Sequence, residues 1–339
     1  MRASIATVAA VLLLAAVAFA SGRSPRPVIA YTQRRTLAHT ELYVTGAGGA
    51  REVGNGQNPS VAPDGRMVSS SALGSIGPAL TLYATAGRRL HSFFNDRVIA
   101  VPLAWSPDSR YLVVLLGADP PRITSSWLAV VDTRTMTART VATGIIRGAS
   151  FAPSGPDRLV YGYEASSAQV QDPVVNLYTV NPNGSDRAQL TTDGKSLQPL
   201  WTARGIVCDR ATTRGAGRSP AFQLWLLHGG QSRQLTSRAV VEIVPRAASA
   251  NGNRLIADYA GPGVNRPLAI QLSPRWVRAL ATGGRTVQGA GISRDGRTLL
   301  LERGPSARLP PYEGVVETVP FGGGQPTRIA SGSSAAWNG

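Results

Sequence analysis

The side chains that most often carry chemistry are few in this 339-residue chain and widely separated. Three histidines, His39, His91 and His228, fall in distant segments. None lies within ligand spacing of another, as the histidines of a metal site usually do. Acyl transfer by a serine needs a G-x-S-x-G elbow on a strand-to-helix turn. The nearest strings, Gly148-Ala149-Ser150 and Gly217-Arg218-Ser219, lack the closing glycine. Glycoside hydrolysis needs two positioned carboxylates, and Glu242, Asp258, Glu302 and Glu313 show no recognisable pairing along the chain. Asp64, Asp108 and Asp295 each sit alone in a distant turn, which fits turn chemistry better than the clustered oxygens that calcium requires. The single cysteine, Cys208, cannot form an internal disulfide and reads as a small buried side chain between Val207 and Asp209. No catalytic residue, metal ligand or cofactor is therefore expected.

Those side chains are carried by a repeat of about 45 residues. An apolar segment runs into a Pro-Asp-Gly-like turn and a second apolar segment leaves it. The clearest copies are NPSVAPDGRMVSS from Asn58, PLAWSPDSRYLVVLL from Pro102 and GAGISRDGRTLLLE from Gly289. The turn markers are Gly65, Ser109, Gly155, Gly205, Gly252, Gly296 and, at the C-terminus, Gly339. Short strands at this period predict an all-β, seven-bladed β-propeller with one four-stranded blade per repeat. Strands A to D run from the central axis outward. In the second copy, strand A is Leu103 to Ser106 and strand B the near-continuous apolar run Tyr111 to Leu116. Strand C is Trp127 to Val131 and strand D the polar Thr137 to Val141. An apolar strand B is expected where both faces are covered by neighbouring blades. The last strand A, Ser334 to Trp337, has no following strands, whereas PVIAYTQ from Pro27, ELYVTG from Glu41 and REVG from Arg51 have no strand A. One blade is thus expected to be closed by strands from both termini, which removes an open sheet edge.

The loops that join strand D of one blade to strand A of the next emerge on one face, around the mouth of the central channel. They span Asn55 to Asn58, Asn95 to Arg97, Gly144 to Arg147, Asp193 to Gln198, Ser237 to Glu242, Arg285 to Gln288 and Ser331 to Ser333. The candidate partner-binding residues are Asn58, Asn95, Asp96, Arg97 and Arg147 from the first loops. Lys195, Gln198, Glu242, Arg285 and Gln288 come from the later ones. These donors and acceptors suit a polar partner, and Arg97, Arg147, Lys195 and Arg285 favour an acidic one. The D strands, as in Arg139-Thr140 and Arg187 to Thr191, are short and rich in Arg or Thr, a composition that discourages edge pairing.

Arg and Lys number 35 against 19 acids, a formal charge of +16, yet the only lysine is Lys195 and aromatics make up 6%. Basic residues are scattered rather than run together, so specific nucleic-acid binding is not expected; attraction to an anionic cell-envelope surface is. Residues 1–20 read as a signal peptide: Arg2, an apolar run from Ile5, and an Ala18-Phe19-Ala20 cleavage site. The expected product is an exported, monomeric propeller over residues 21–339, in the periplasm, on the cell surface or secreted, with an uncleaved N-terminal anchor as the alternative.

The blocks WSPDSRYLVVLLG from Trp105 and NLYTVNPNGSDRAQLTTDG from Asn176 resemble the repeats of TolB-like, WD40-like propellers. That resemblance implies a propeller that binds protein. Because propeller-like sequence starts by Pro27, the N-terminal domain that TolB carries is not expected. The functional expectation is a protein-binding or scaffolding module. The alternatives are a cell-envelope polysaccharide lyase or hydrolase, or a glycan or small-ligand sensor using the channel.

Overall fold

The Pro-Asp-Gly-like turns reverse the chain through their aspartates. Asp64, Asp108 and Asp295 each accept the backbone N–H two residues on, from Arg66, Arg110 and Arg297, at 2.9 Å. Ser106 and Ser293 also donate their hydroxyls to Asp108 and Asp295. The third turn residue takes a left-handed φ: 71° at Gly65 and Gly296, and 63° at Ser109, where no glycine is available. The aspartates are therefore consumed by turn formation.

The computed structural model describes residues 27–36, 39–46, 48–72, 78–95, 97–118, 126–155, 157–164, 174–212, 221–237, 242–261, 264–304 and 314–338. Residues 1–20, the predicted leader, lie outside them, as do Asp96 and Glu313. Among the described residues every regular element is a strand and every strand pairing is antiparallel. Blade 1 comprises Gln57–Val61, Met67–Ser71, Leu80–Ala84 and Arg89–Phe93. Blade 2 starts with Val98–Trp105, Tyr111–Ala118 and Ser126–Asp132, and blade 3 ends with Leu159–Glu164, Val175–Val180 and Ala188–Gln189. Blade 4 is Ser196–Thr202, Gly205–Ala211, Phe222–His228 and Gln231–Gln234; blade 5 is Glu242–Ala248, Arg254–Gly261, Val264–Leu272 and Arg275–Ala279. Blade 6 is Val287–Ile292, Thr298–Arg303, Val315–Pro320 and Thr327–Ser331. In blade 7 the order is Ser333–Trp337, Ile29–Thr36, His39–Gly46 and Gly49–Asn55.

The shared blade is as expected. Ile29 pairs with Trp337 and Ala30 with Ala336, while Val28 N–H donates to Asn338 Oδ1 at 2.8 Å. The inner strands of blades 6 and 1 both lie against Ser333–Trp337. One expected loop is absent altogether. Gly144 to Arg147 is not a loop: Thr137–Phe151 is one strand that serves as strand D of blade 2 and strand A of blade 3. Its β-branched run continues through Gly144, and Ile145 and Ile146 are buried, so an extended chain is favoured over a turn.

The core lies between blades rather than within them. Leu112, Val114 and Leu116 pack against Leu80 and Leu82 of blade 1, while Val113 on the opposite face packs toward Leu159 and Tyr161 of blade 3. Alternate residues of strand B thus serve different neighbours, which accounts for its unbroken apolar sequence. Equivalent clusters occupy the other interfaces, including blade 6 against 7 through Leu300 and Tyr31, and blade 7 against 1 through Leu42 and Val68. Cys208 is fully buried at the interface of blades 3 and 4, where burial raises its thiol pKa and leaves it inert.

Candidate functional site

Every inner strand carries a β-bulge near its middle. The register slips at Gln57/Ser60, Pro102/Ala104, Ile146/Ala149, Leu197/Leu200, Pro245/Ala247 and Gly289/Gly291, and again opposite Ala30/Thr32 in blade 7. The bulge re-aims the strand and turns backbone N–H groups toward the neighbouring blade. Asn58 and Gln198 sit in these bulges with φ of 49° and 29°. Gly148 occupies the bulge of blade 3 at φ 78°, where a Cβ would stand 3.3 Å from Gln198 Cα. A side chain there would press on blade 4 by a few tenths of an ångström and strain the left-handed backbone, which glycine avoids.

The antiparallel register places the end of strand B beside the start of strand A, so both reach the channel mouth. At one equivalent position of strand B, blades 4, 5 and 6 carry Asp209, Asp258 and Glu302, opposite Leu197, Val244 and Gln288. Asp258 accepts Gly289 N–H of blade 6 at 2.7 Å, and its other oxygen receives Arg246 Nε at 2.7 Å. Glu302 accepts Ser334 N–H and Ala335 N–H of blade 7 at 2.9 and 2.6 Å. These carboxylates fasten each blade to the bulge of the next. Asp209 has no such donor. The position that corresponds to Gly289 in the following blade is Pro245, which lacks an N–H. Asp209 is 2% exposed and its Oδ1 has no hydrogen-bond partner.

Burial dominates the electrostatics of this set. It raises Asp209 well above the usual carboxylate range, with the charge of Glu242 adding to the effect. It raises Asp258 as well, against the opposing pull of Arg246 and the Gly289 amide. Glu302 is pushed up to about 7 by burial, despite its two amide donors. A cleft of about 90 Å³ between blades 5 and 6 is lined by Glu242, Arg246, Asp258 and Gln288 among others. A larger space of about 660 Å³ follows the inner strands, past Leu103, Gln198, Leu200, Trp201 and Arg246.

The predicted binding residues divide by what they touch. Asn58, Asn95, Arg97, Lys195, Glu242 and Arg285 are exposed; Arg147, Gln198 and Gln288 are half-buried. Asn58, Gln198, Glu242 and Gln288 belong to inner strands rather than to loops, because those strands start earlier than the turn-based reading places them. Arg147 is an ion-pair partner, 2.7 Å from Glu164, whose side chain is 3% exposed. It therefore adds no free positive charge to the mouth. The convergence of Asp209, Asp258, Glu302 and Glu242 was not legible along the chain. The period itself is the one signal that could have revealed it, since Asp209, Asp258 and Glu302 hold the same place in successive repeats. Among the described residues no group of three or more His, Cys, Asp or Glu could hold a metal ion.

No protein-family profile and no curated protein sequence matches the chain. Solved structures do share its fold. TolB from Acinetobacter baumannii aligns over 93% of this chain and 67% of its own, with TM-score 0.55 and 14% identity. The β-propeller domain of the Trilobed protease from Pyrococcus furiosus aligns over 91% and 93%, with TM-score 0.63 and 12% identity. An oligogalacturonate lyase in complex with manganese aligns over 80% and 86%, with TM-score 0.57 and 12% identity. The chain is thus a β-propeller of the architecture found in TolB-like proteins, a fold that hosts binding proteins and enzymes alike.

Proposed function

We propose that this chain is an exported binding module that holds a polar or acidic segment of a protein partner at the channel mouth. In this reading residues 1–20 direct export and the propeller over 21–339 acts as a monomer. One observation carries the reading: the buried acids are largely committed to structure, whereas the exposed mouth is not. Asp258, Glu302 and Glu164 hold backbone amides or arginines. The side chains of Arg97, Lys195, Glu242 and Arg285 make no hydrogen bond or ion pair with described residues. Unpaired donors and acceptors arranged around one opening suit recognition, and a rim of exposed charge sets encounter rate and salt sensitivity.

The test is a crosslinking pull-down from the exported fraction, followed by titration of the captured partner. Substituting Arg97, Lys195 and Arg285 together by Ala is expected to lower affinity about tenfold at low salt without shifting the melting temperature. Unchanged affinity for the identified partner refutes the assignment. A second reading, a lyase or hydrolase acting on envelope polysaccharide, draws on Asp209 alone, a buried carboxyl with a raised pKa and one oxygen without a hydrogen-bond partner. Turnover that is abolished by Asp209→Asn would favour it over the binding module.

A further inference from the structure

The excess positive charge has a location. Each outer strand carries an arginine on it or immediately before it: Arg51 in blade 7, Arg88 and Arg89 in blade 1, Arg139 in blade 2 and Arg187 in blade 3. Blades 4, 5 and 6 continue the series with Arg233, with Arg275 and Arg278, and with Arg328. All nine are exposed, and none forms an ion pair with a described carboxylate. Only Glu52 and Asp186 oppose them on the same outer segments. The ion-paired arginines lie elsewhere: Arg147, Arg246 and Arg303 on strands A and B, and Arg110, Arg134 and Arg297 in turns. Unneutralised guanidinium groups therefore recur around the circumference, where the carboxylates that line the inter-blade clefts are already engaged: Asp132 by Arg110, Glu317 by Arg303 and Asp64 by its own turn.

Three of these arginines share one arrangement. Arg51 Nη1 donates to Ala86 O at 3.4 Å, Arg139 Nη1 to Asn183 O at 3.2 Å, and Arg278 Nη2 to Phe321 O at 3.1 Å. In each case the outer strand of one blade reaches the C–D hairpin of the next. Each latch also borders an open cleft between the two blades, of about 460, 200 and 510 Å³ respectively. A guanidinium has five N–H donors in a fixed fork. One bond to a carbonyl orients it and leaves the remaining donors for an anion at the cleft.

We propose that the outer circumference binds a linear anionic polysaccharide, whose carboxylate or sulfate groups are taken up by successive outer-strand arginines and whose sugar rings lie across the inter-blade clefts. The site is separate from the channel mouth. Outer strands face away from the axis in as many directions as there are blades, so a flat lipid surface meets few of them at once. A flexible chain following the rim meets them in turn, and avidity then rises with chain length. Single-stranded nucleic acid is held by exposed aromatic platforms. The outer segments offer none among the described residues: Trp276 is packed on Phe321 at 5.1 Å and His91 on Phe93 at 4.6 Å. The planar arginine fork, rather than lysine, matches a carboxylate or sulfate geometrically.

The experiment is titration of the full mature chain with size-graded alginate (carboxylated), heparin (sulfated), neutral dextran, single-stranded DNA of equal charge, and anionic lipid vesicles. Affinity for alginate or heparin is expected to climb with chain length and to collapse at about 0.5 M salt. The relative strength of the two glycans tells carboxylate from sulfate recognition. Arg51→Gln with Arg139→Gln and Arg278→Gln is expected to weaken binding at least about tenfold. Because these three also latch blades, a second variant is decisive. Arg88 and Arg233 make no side-chain bond with described residues, so Arg88→Gln with Arg233→Gln leaves the fold alone and is expected to lower affinity about threefold for long chains only. Alanine at Arg97, Lys195 and Arg285 of the mouth is expected to change nothing here. The proposal is overturned if both rim variants bind the glycans like the parent, if dextran binds equally, or if DNA or vesicles bind more tightly than either acidic glycan.

Discussion

Replacing Glu302 by Gln tests whether burial or hydrogen bonding governs the carboxylate that ties the last strand into the ring. Glu302 is 8% exposed and accepts two N–H groups from Ser334 and Ala335, with Asp258 and Arg246 as its charged neighbours. Burial raises its pKa from 4.5 to about 7, so the amides reduce the cost of ionising it without cancelling that cost. Between those values the folded chain binds the proton more tightly than the unfolded chain. This group therefore adds stability that is fully present below about pH 4.5 and is lost as pH rises through about 7. At about 1.4 kcal/mol per pH unit the whole effect is about 3 kcal/mol, of which about 2 kcal/mol falls between about pH 5.5 and pH 8. Gln keeps the shape and one acceptor but cannot titrate. Urea unfolding of parent and Glu302→Gln, followed by tryptophan fluorescence at several pH values in that range, isolates the term as the change in their stability difference. The variant is expected to gain on the parent by about 2 kcal/mol from about pH 5.5 to pH 8. A difference that stays constant, or a parent that gains on the variant as pH rises, would mean that the two amides hold Glu302 ionised and that the burial argument is wrong.

Deleting Ser334 to Gly339 removes the inner strand of blade 7 along with Trp337, and is expected to lower the melting temperature of the whole ring; a truncated chain that melts like the parent refutes the shared blade. Gly332→Ala is expected to cost about 2 kcal/mol or more in urea unfolding, because its φ is 151° and a Cβ would stand 2.4 Å from Thr32 O; a loss under about 0.5 kcal/mol would contradict the geometry. Arg147→Ala leaves buried Glu164 without its cation and is expected to destabilise by about 3 kcal/mol at neutral pH, whereas Arg285→Ala on the exposed mouth is expected to leave the melting temperature unchanged. Equal effects of these two substitutions would show that Arg147 is a surface charge after all.

The architecture was legible in the residues because its determinants are local. The Asp64, Asp108 and Asp295 turns depend on a side chain two residues from the N–H it binds, and a period of such turns counts the blades. Strand B of blade 2 advertises its two covered faces through Leu112 to Leu116, and the orphan strands at the two ends can complete a sheet only with each other. Boundaries were less secure. Thr137–Phe151 crosses a blade junction because Ile145 and Ile146 gain burial by staying extended, a benefit that exists only once blades 2 and 3 stand side by side. The site depended on tertiary structure still more. Asp209, Asp258 and Glu302 are tens of residues apart and meet only where the ring brings the ends of their strands to one mouth. Whether each is satisfied depends on a residue of the following blade: Gly289 supplies an N–H to Asp258, and Pro245 leaves Asp209 with none. The same holds for charge. Arginines that look scattered in the sequence lie on or just before the outer strand of every blade, and which of them are neutralised is settled by neighbours that only the packing of blades supplies.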